Sequence, residues 1–195
     1  EGNFTNNQKN GVWKFNRDDG KPEMVGTFSA NVQEDKWTYY YNNGTMESEG
    51  NFSGGKKTGT WKFNYRGGQQ WRQGDYDKDE KTGTWTTWFE NGQKLQEGNF
   101  LNGKENGVWT SWWDNGAKKD EGTFTMGLIT GEWTGWYPNN KLNYNGKYNS
   151  KGKKTGRWMY WYENGLPREE SSYVNGIKHG SYTQWFEKGG FVDTQ

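Results

Sequence analysis

The chain has no cysteine, which excludes a disulfide framework, a thiolate zinc site and a cysteine nucleophile and leaves the redox compartment open. No apolar run approaches the roughly 18 residues of a membrane-spanning helix, and no charged-then-apolar leader opens the chain. Aliphatic residues are scarce as well: Ile, Leu and Val together number 13 in 195 residues, so an ordinary aliphatic core is out of reach. Even with the 10 Phe added, they fall below the roughly one fifth that marks many disordered chains. Disorder also calls for a charge excess, however, and 25 basic residues against 24 acidic ones leave only +1. The same balance lacks the basic field that drives binding to nucleic acid, which is therefore not expected as a partner.

What the chain has instead is 30 Gly, 14 Trp, 12 Tyr and 10 Phe, and they recur at a fixed interval, the mark of a repeat array. Gly2, Gly26, Gly50, Gly74, Gly98, Gly122 and Gly146 stand 24 residues apart, each followed two positions on by Phe4, Phe28, Phe52, Tyr76, Phe100, Phe124 or Tyr148. A second landmark keeps the same step: Trp13, Trp37, Trp61, Trp85, Trp109 and Trp133. One inserted residue around Ser150–Gly152 then shifts the phase, so that the first series carries its next aromatic at Tyr173 and the second continues at Trp158 and Tyr182. Eight units fill the chain, approximately 2–25, 26–49, 50–73, 74–97, 98–121, 122–145, 146–170 and 171–195, read together as one repeat domain.

Seven residues beyond each second landmark stands Gly20, Gly44, Gly68, Gly92, Gly116, Asn140, Gly165 or Gly189, most often after Asn. Asn-Gly accepts positive φ at both central positions of a type I′ turn, so each unit is expected to be a hairpin. Its first strand runs from about Trp109 to Trp113 and its second from about Lys118 to Phe124. A longer Gly-rich connection, Asn102 to Gly107, then leads to the next unit. Gly and Asn recur too often to leave room for a capped helix. With about 4.8 Å between strands, each unit advances the sheet by roughly 10 Å, and eight units cover on the order of 75–80 Å. The expected fold is all-β: an elongated array of eight 24-residue antiparallel hairpin repeats, forming a single extended twisted sheet or β-solenoid-like rod.

Units in such an array touch only their neighbours, and polar caps normally close the ends. Here Glu1-Gly2-Asn3-Phe4 repeats Glu49-Gly50-Asn51-Phe52 in phase, and Gln195 falls where the next Gly would stand. These in-phase ends predict copies joining head to tail, an open contact that generates filaments. The first residue is Glu1 and not Met, so a processed or excised segment is expected, in an extracellular or cell-surface setting.

Side chains alternate across a strand, so the Trp landmark and the residues two and four further on are expected on one face, and the residue three further on opposite them. The structural stripe is Trp13, Trp37, Trp61, Trp85, Trp109, Trp133, Trp158 and Tyr182, joined at the four-on position by Arg17, Tyr41, Tyr65, Phe89, Trp113, Tyr137, Tyr162 and Phe186. Ring pairs add roughly 0.5–1.5 kcal/mol each, so stacked rings can replace an aliphatic core. A glycine beside a ring lets it lie across the backbone. The opposite row reads Asn16, Tyr40, Asn64, Trp88, Trp112, Trp136, Trp161 and Trp185. Tyr40, Trp88, Trp112, Trp136, Trp161 and Trp185 are the candidate binding residues. They form either a second buried or self-association layer, or a ladder of exposed rings whose roughly 10 Å step suits the sugar rings of a polysaccharide.

These residues resemble the variant form of the MORN repeat. The pattern G-x-W-x-x-W-[FY]-x-N-G…E-G-x-F-x-x-G-K is read in Gly83-Thr84-Trp85-Thr86-Thr87-Trp88-Phe89-Glu90-Asn91-Gly92 and Glu97-Gly98-Asn99-Phe100-Leu101-Asn102-Gly103-Lys104, and Asn175-Gly176-Ile177-Lys178-His179-Gly180 is similar to the family's loop. The resemblance covers the whole chain, with departures at Asp35, Arg17 and Asn140. It implies an antiparallel β-array without an enzyme scaffold, used for scaffolding, interaction or lipid association. Trp37-Thr38-Tyr39-Tyr40-Tyr41-Asn42-Asn43-Gly44-Thr45-Met46 also resembles choline- or glucan-binding cell-wall repeats, whose units are usually shorter.

No catalytic residue, cofactor or metal site is expected. His179, the single imidazole, is placed in a loop that the repeat pattern accounts for, and a thin sheet offers it no water-excluded pocket with Ser171, Ser172 or Ser181. Asp77-Lys78-Asp79-Glu80 reads as a solvated loop, since Lys78 interrupts it and calcium-loop spacing is missing. Sequons at Asn3, Asn43 and Asn51 permit glycosylation without arguing for it. The expected function is a non-enzymatic structural or protein-interaction scaffold, assembling head to tail with itself or holding another protein; the alternative is an extracellular carbohydrate- or cell-wall-binding module using the Trp row. Neither reading includes a transmembrane segment.

Overall fold

The computed structural model describes residues 1–194, with side chains described through residue 190; Gln195, part of the in-phase ending, lies outside the described residues. The described residues contain strands and turns and no helix. Two compact units divide the chain, Glu1–Gly92 and Gln93–Gln195. The first holds β1 (Asn3–Thr5), β2 (Gln8–Asn16), β3 (Pro22–Ser29), β4 (Val32–Tyr40), β5 (Met46–Ser53), β6 (Lys56–Asn64), β7 (Gln70–Asp77) and β8 (Glu80–Trp88). The second holds β9 (Lys94–Leu101), β10 (Lys104–Trp112), β11 (Lys118–Thr125), β12 (Leu128–Trp136), β13 (Leu142–Tyr148), β14 (Lys154–Trp161), β15 (Pro167–Val174), β16 (Ile177–Trp185) and β17 (Phe191–Thr194). Within each unit every strand pairs antiparallel with its neighbours in sequence. The protein is all-β, an open run of hairpins.

Both kinds of connection are tight, and the structure exchanges the turn types expected from the sequence. After β4, only Gly44 of Asn43-Gly44 has positive φ, and Gly44 N–H donates to Tyr41 O at 2.9 Å while Tyr41 N–H donates to Thr45 O at 2.9 Å. That is a type I turn closed by a left-handed glycine, a three-residue loop. The type I′ turns lie in the other connection, where Asn102 (φ 50°) and Gly103 (φ 73°) are both left-handed. The supposed long link Asn102–Gly107 is therefore two turn residues followed by strand, and the first strand of that hairpin starts at Lys104, five residues earlier than expected. Where the extra residue falls, around Ser150–Gly152, the two-residue turn is replaced by the three-residue kind, with Gly152 N–H on Asn149 O at 3.0 Å. His179 likewise stands in β16, not in a loop, and is exposed.

A bulge two residues before each Trp landmark accounts for much of the repeat. Gly11, Asp35, Gly59, Gly83, Gly107, Gly131, Gly156 and Gly180 all have positive φ there, and the pairing register of the strand before slips beside it. The slip leaves a carbonyl without a ladder partner, which the indole N–H takes: Trp37 Nε1 donates to Thr27 O at 3.0 Å, Trp61 to Asn51 O at 3.1 Å and Trp158 to Lys147 O at 3.2 Å. This is a reason for Trp over Phe, since only the indole carries a donor at that reach.

The core is a single aromatic layer on one face. Each Trp ring lies on the backbone of the landmark glycine of the preceding strand; a Cβ on Gly26 would stand 2.0 Å from Trp37 Cδ2. In the last hairpin the pair becomes Ser171 opposite Tyr182, so the landmark that is not Trp is the one facing a residue that is not Gly. Phe or Tyr two residues after the glycine meets the Trp edge to face, as Phe52 does Trp61 at 5.2 Å, and where the residue two beyond the Trp is a ring it stacks on it, as Phe63 does at 6.0 Å. A lysine four residues before the Trp closes the assembly: Lys57 Nζ is 4.5 Å from the Trp61 ring, 5.8 Å from Phe63 and 5.3 Å from Tyr76. With four rings and an ammonium around it, Trp61 is 1% exposed although no second layer covers the sheet among the described residues.

Candidate functional site

The four-on residue leaves the aromatic stripe. It opens the turn and bonds to the next repeat: Tyr41 Oη donates to Asn64 O at 2.8 Å, Tyr65 Oη to Trp88 O at 2.8 Å, Trp113 Nε1 to Trp136 O at 3.0 Å and Tyr137 Oη to Trp161 O at 2.8 Å. Arg17, the odd member by sequence, does the same through Nη2 to Tyr40 O at 2.6 Å. The expected face alternation fails here because the register shifts between the two-on and three-on residues, as at Tyr39/Tyr40 and Ser111/Trp112. The turn Asn adds a parallel ladder. Asn115 Oδ1 accepts from Ala117 N–H at 2.9 Å while its Nδ2 donates to Pro138 O at 3.0 Å, and Asn43, Asn139 and Asn164 repeat both bonds. An amide both accepts within its own turn and donates to the next, which neither Asp nor Gly can do.

The candidate row Tyr40, Trp88, Trp112, Trp136, Trp161 and Trp185 is half-buried throughout. On this face Trp112 and Trp136 carry cations over their rings: Lys94 Nζ is 5.5 Å from Trp112 and Lys118 Nζ 5.3 Å from Trp136. Each lysine is held by a glutamate, Lys94–Glu97 and Lys118–Glu121 both at 2.8 Å. Hydrogen bonding from Lys118, with a smaller contribution from Thr110, holds the Glu121 carboxyl below the usual glutamate range. Trp161 pairs across the sheet with Pro167, and Trp136 with Leu142. The row is thus a line of rings alternating with lysine, leucine and proline.

The core face carries a different feature in the second unit. A hollow of about 250 Å³ is lined by Glu105, Trp109, Ser111, Asp120, Phe124 and Trp133, among others. Asp120 Oδ1 accepts from Tyr144 Oη at 2.5 Å and Oδ2 from Ser111 Oγ at 3.0 Å, so both oxygens are oriented by hydroxyls. Burial, and then the Asp120 carboxylate, push the Tyr144 phenol well above its ordinary range. Sequence reading missed this hollow. Its signal lies in the repeat columns, where Glu105 and Ile129 stand in place of lysine, and Ser111 and Gly135 in place of a ring.

Other sequence candidates are accounted for locally. Ser171 Oγ donates to Glu169 Oε1 at 2.5 Å, and Asp79, in a type I′ turn, accepts at Oδ1 from the Lys57 N–H of the preceding repeat at 2.8 Å. Among the described residues no helix is long and apolar enough to cross a membrane.

Tandem hairpins, each resting its tryptophan on the glycine of the strand before it and bonding through its turns to the next repeat, define a repeat-sheet protein. The model of the MORN repeat variant matches residues 36–53, 81–102, 129–150 and 154–175, and the chain carries repeats of that type. Among curated proteins none matches the chain.

Proposed function

We propose that the protein is a non-enzymatic scaffold that holds other proteins on the tryptophan row opposite its core and joins further copies of itself head to tail. The observation that supports this most is the row at Trp112 and Trp136, where half-buried rings are interleaved with paired Lys94–Glu97 and Lys118–Glu121. Rings surrounded by charge pairs have the composition of a protein interface, in which Trp and a polar rim recur. Bare stacking platforms for sugar would leave the ring faces open, and here lysine ammonium groups occupy them at 5.5 and 5.3 Å. This favours protein over polysaccharide as the occupant.

Sedimentation velocity over a wide concentration range tests the reading. Concentration-dependent association that persists in the Trp112→Ala, Trp136→Ala double variant is expected, since the row is assigned to other proteins and the copies join head to tail; association lost in that variant would make the row the self-contact. A strictly monomeric protein at every concentration removes the head-to-tail element. Glycan binding that survives the double variant removes the row from either mechanism.

A further inference from the structure

The repeat supplies its own template for cation binding. In the third hairpin Lys57 Nζ sits among Trp61, Phe63 and Tyr76, and in the seventh Lys154 Nζ sits 4.3 Å from Trp158, 5.2 Å from Tyr160 and 5.3 Å from Tyr173. In the eighth, Lys178 Nζ lies 4.3 Å from the Tyr182 ring and 2.9 Å from Glu169 Oε1, which adds a carboxylate to the cage. Glu169 occupies the same repeat position as Asp120, and the lysine that would answer Asp120 is Ile129.

One hairpin earlier the same cage is emptied in a second way. Trp109 and Phe124 remain, 5.9 Å apart, but the third ring is Ser111 and the lysine is Glu105. The outcome is the hollow of about 250 Å³ whose walls are Trp109, Phe124 and Trp133 and whose charges are Glu105 and Asp120. Among the described residues no lysine or arginine makes an ion pair with either carboxylate. Ring faces attract ammonium through their quadrupoles, and two carboxylates beside them fix the sign of the ligand.

We infer that this hollow receives the side-chain ammonium of a lysine presented by a partner protein, in the seat that the chain's own lysines fill elsewhere. The inference names the chemistry of a partner and in that respect rests on the scaffold reading, although it concerns the opposite face from the tryptophan row. The alkyl stem of lysine suits the apolar walls and its head suits the Asp120–Glu105 end, whereas a carboxylate or phosphate ligand would meet like charge.

The test is an NMR titration of the ¹⁵N-labelled chain, following the indole N–H signals of Trp109 and Trp133, with Nα-acetyl-lysine methylamide as probe. A saturable shift is expected, with no response to the same molecule acetylated on Nζ. Asp120→Asn should weaken the affinity by about tenfold, the effect of losing one charge-assisted contact. Glu105→Lys with Ser111→Phe rebuilds the cage of the third hairpin and should abolish the response while preserving the strand signature in circular dichroism, which guards against misreading an unfolded variant. No saturable shift, an equal response to the acetylated probe, or an unchanged response in the rebuilt cage overturns the inference. Binding of spermidine without the lysine probe overturns it too, assigning the hollow to a free polyamine. A chain that self-associates yet ignores the probe loses only this inference; one that binds the probe and stays monomeric loses the head-to-tail reading.

Discussion

The hairpins built on β2, β4 and β6 and those built on β10 and β12 share one frame and spend their remaining aromatic residues on opposite faces. In the first set, rings fill the two-on position (Phe15, Tyr39, Phe63) while the three-on row reads Asn16, Tyr40 and Asn64. In the second, the two-on position falls to Ser111 and Gly135 as the three-on row becomes Trp112 and Trp136. Away from the three-residue strand β1, where Trp13 is 8% exposed, the buried Trp registers the difference: Trp37 and Trp61 are 1% exposed, Trp109 and Trp133 9%. What the two share, Trp on Gly with an edge-to-face Phe or Tyr and an indole bond to a bulge carbonyl, is what the fold requires. What differs is free to serve function, and the hollow and the tryptophan row both fall where the columns vary.

The largest effect expected from this comparison is at the buried tryptophans. Trp61 loses contacts with Phe52, Phe63, Tyr39, Tyr76 and Lys57 on truncation, whereas Trp133 has Phe124 and Tyr148 as ring partners. Trp61→Ala should cost about 4–5 kcal/mol and Trp133→Ala about 3 kcal/mol, within the range for large-to-small core changes. Urea unfolding of the two variants checks the order. Equal losses would mean that the two extra rings and the lysine around Trp61 contribute little, and the contrast between the two sets of hairpins would be one of appearance.

Smaller, and sharper as evidence, is the exception in the last hairpin. Tyr182→Trp places an indole over Ser171, whose Cβ occupies the space left open at every other landmark glycine, and should destabilise by about 1–3 kcal/mol, the cost of overpacking. Adding Ser171→Gly should recover most of the loss, so the double-mutant cycle in thermal or urea unfolding should give a coupling of about 1–2 kcal/mol. Additive effects would show that Trp and Gly are chosen independently.

The period, the hairpin, the aromatic layer and the glycine beneath each tryptophan were all legible in the sequence because each follows from residues at constant spacing in one column. The turn types were not. Asn-Gly suits a type I′ turn and equally a type I turn with a left-handed glycine after it, and the choice depends on how many residues separate the last paired positions, such as Tyr40 and Met46. The four-on row was misplaced for a related reason: alternation was carried through a bulge that strand parity cannot see. The hollow was hidden because Glu105, Ser111 and Asp120 lie on β10 and β11 and meet only across the pairing of Ser111 with Asp120. Reading down the columns for the missing lysine and the missing ring would have exposed it.

The smallest effect concerns Asp35, which stands in a column of glycines at the bulge before Trp37 and takes φ 57°. A side chain in the left-handed region costs roughly 1 kcal/mol, and Asp35→Gly removes that strain. Glycine also gains freedom in the unfolded chain, which offsets roughly 0.5 kcal/mol. The net expectation is a stabilisation of about 0.5 kcal/mol, with the reverse change, Gly107→Asp, losing a similar amount in the second unit. Matched urea unfolding of both variants measures it. A loss on Asp35→Gly would mean that the carboxylate makes a contribution at this bulge that the glycines of the other hairpins do without, and the column would then hold a second exception beside the ring-poor cage of β10–β12.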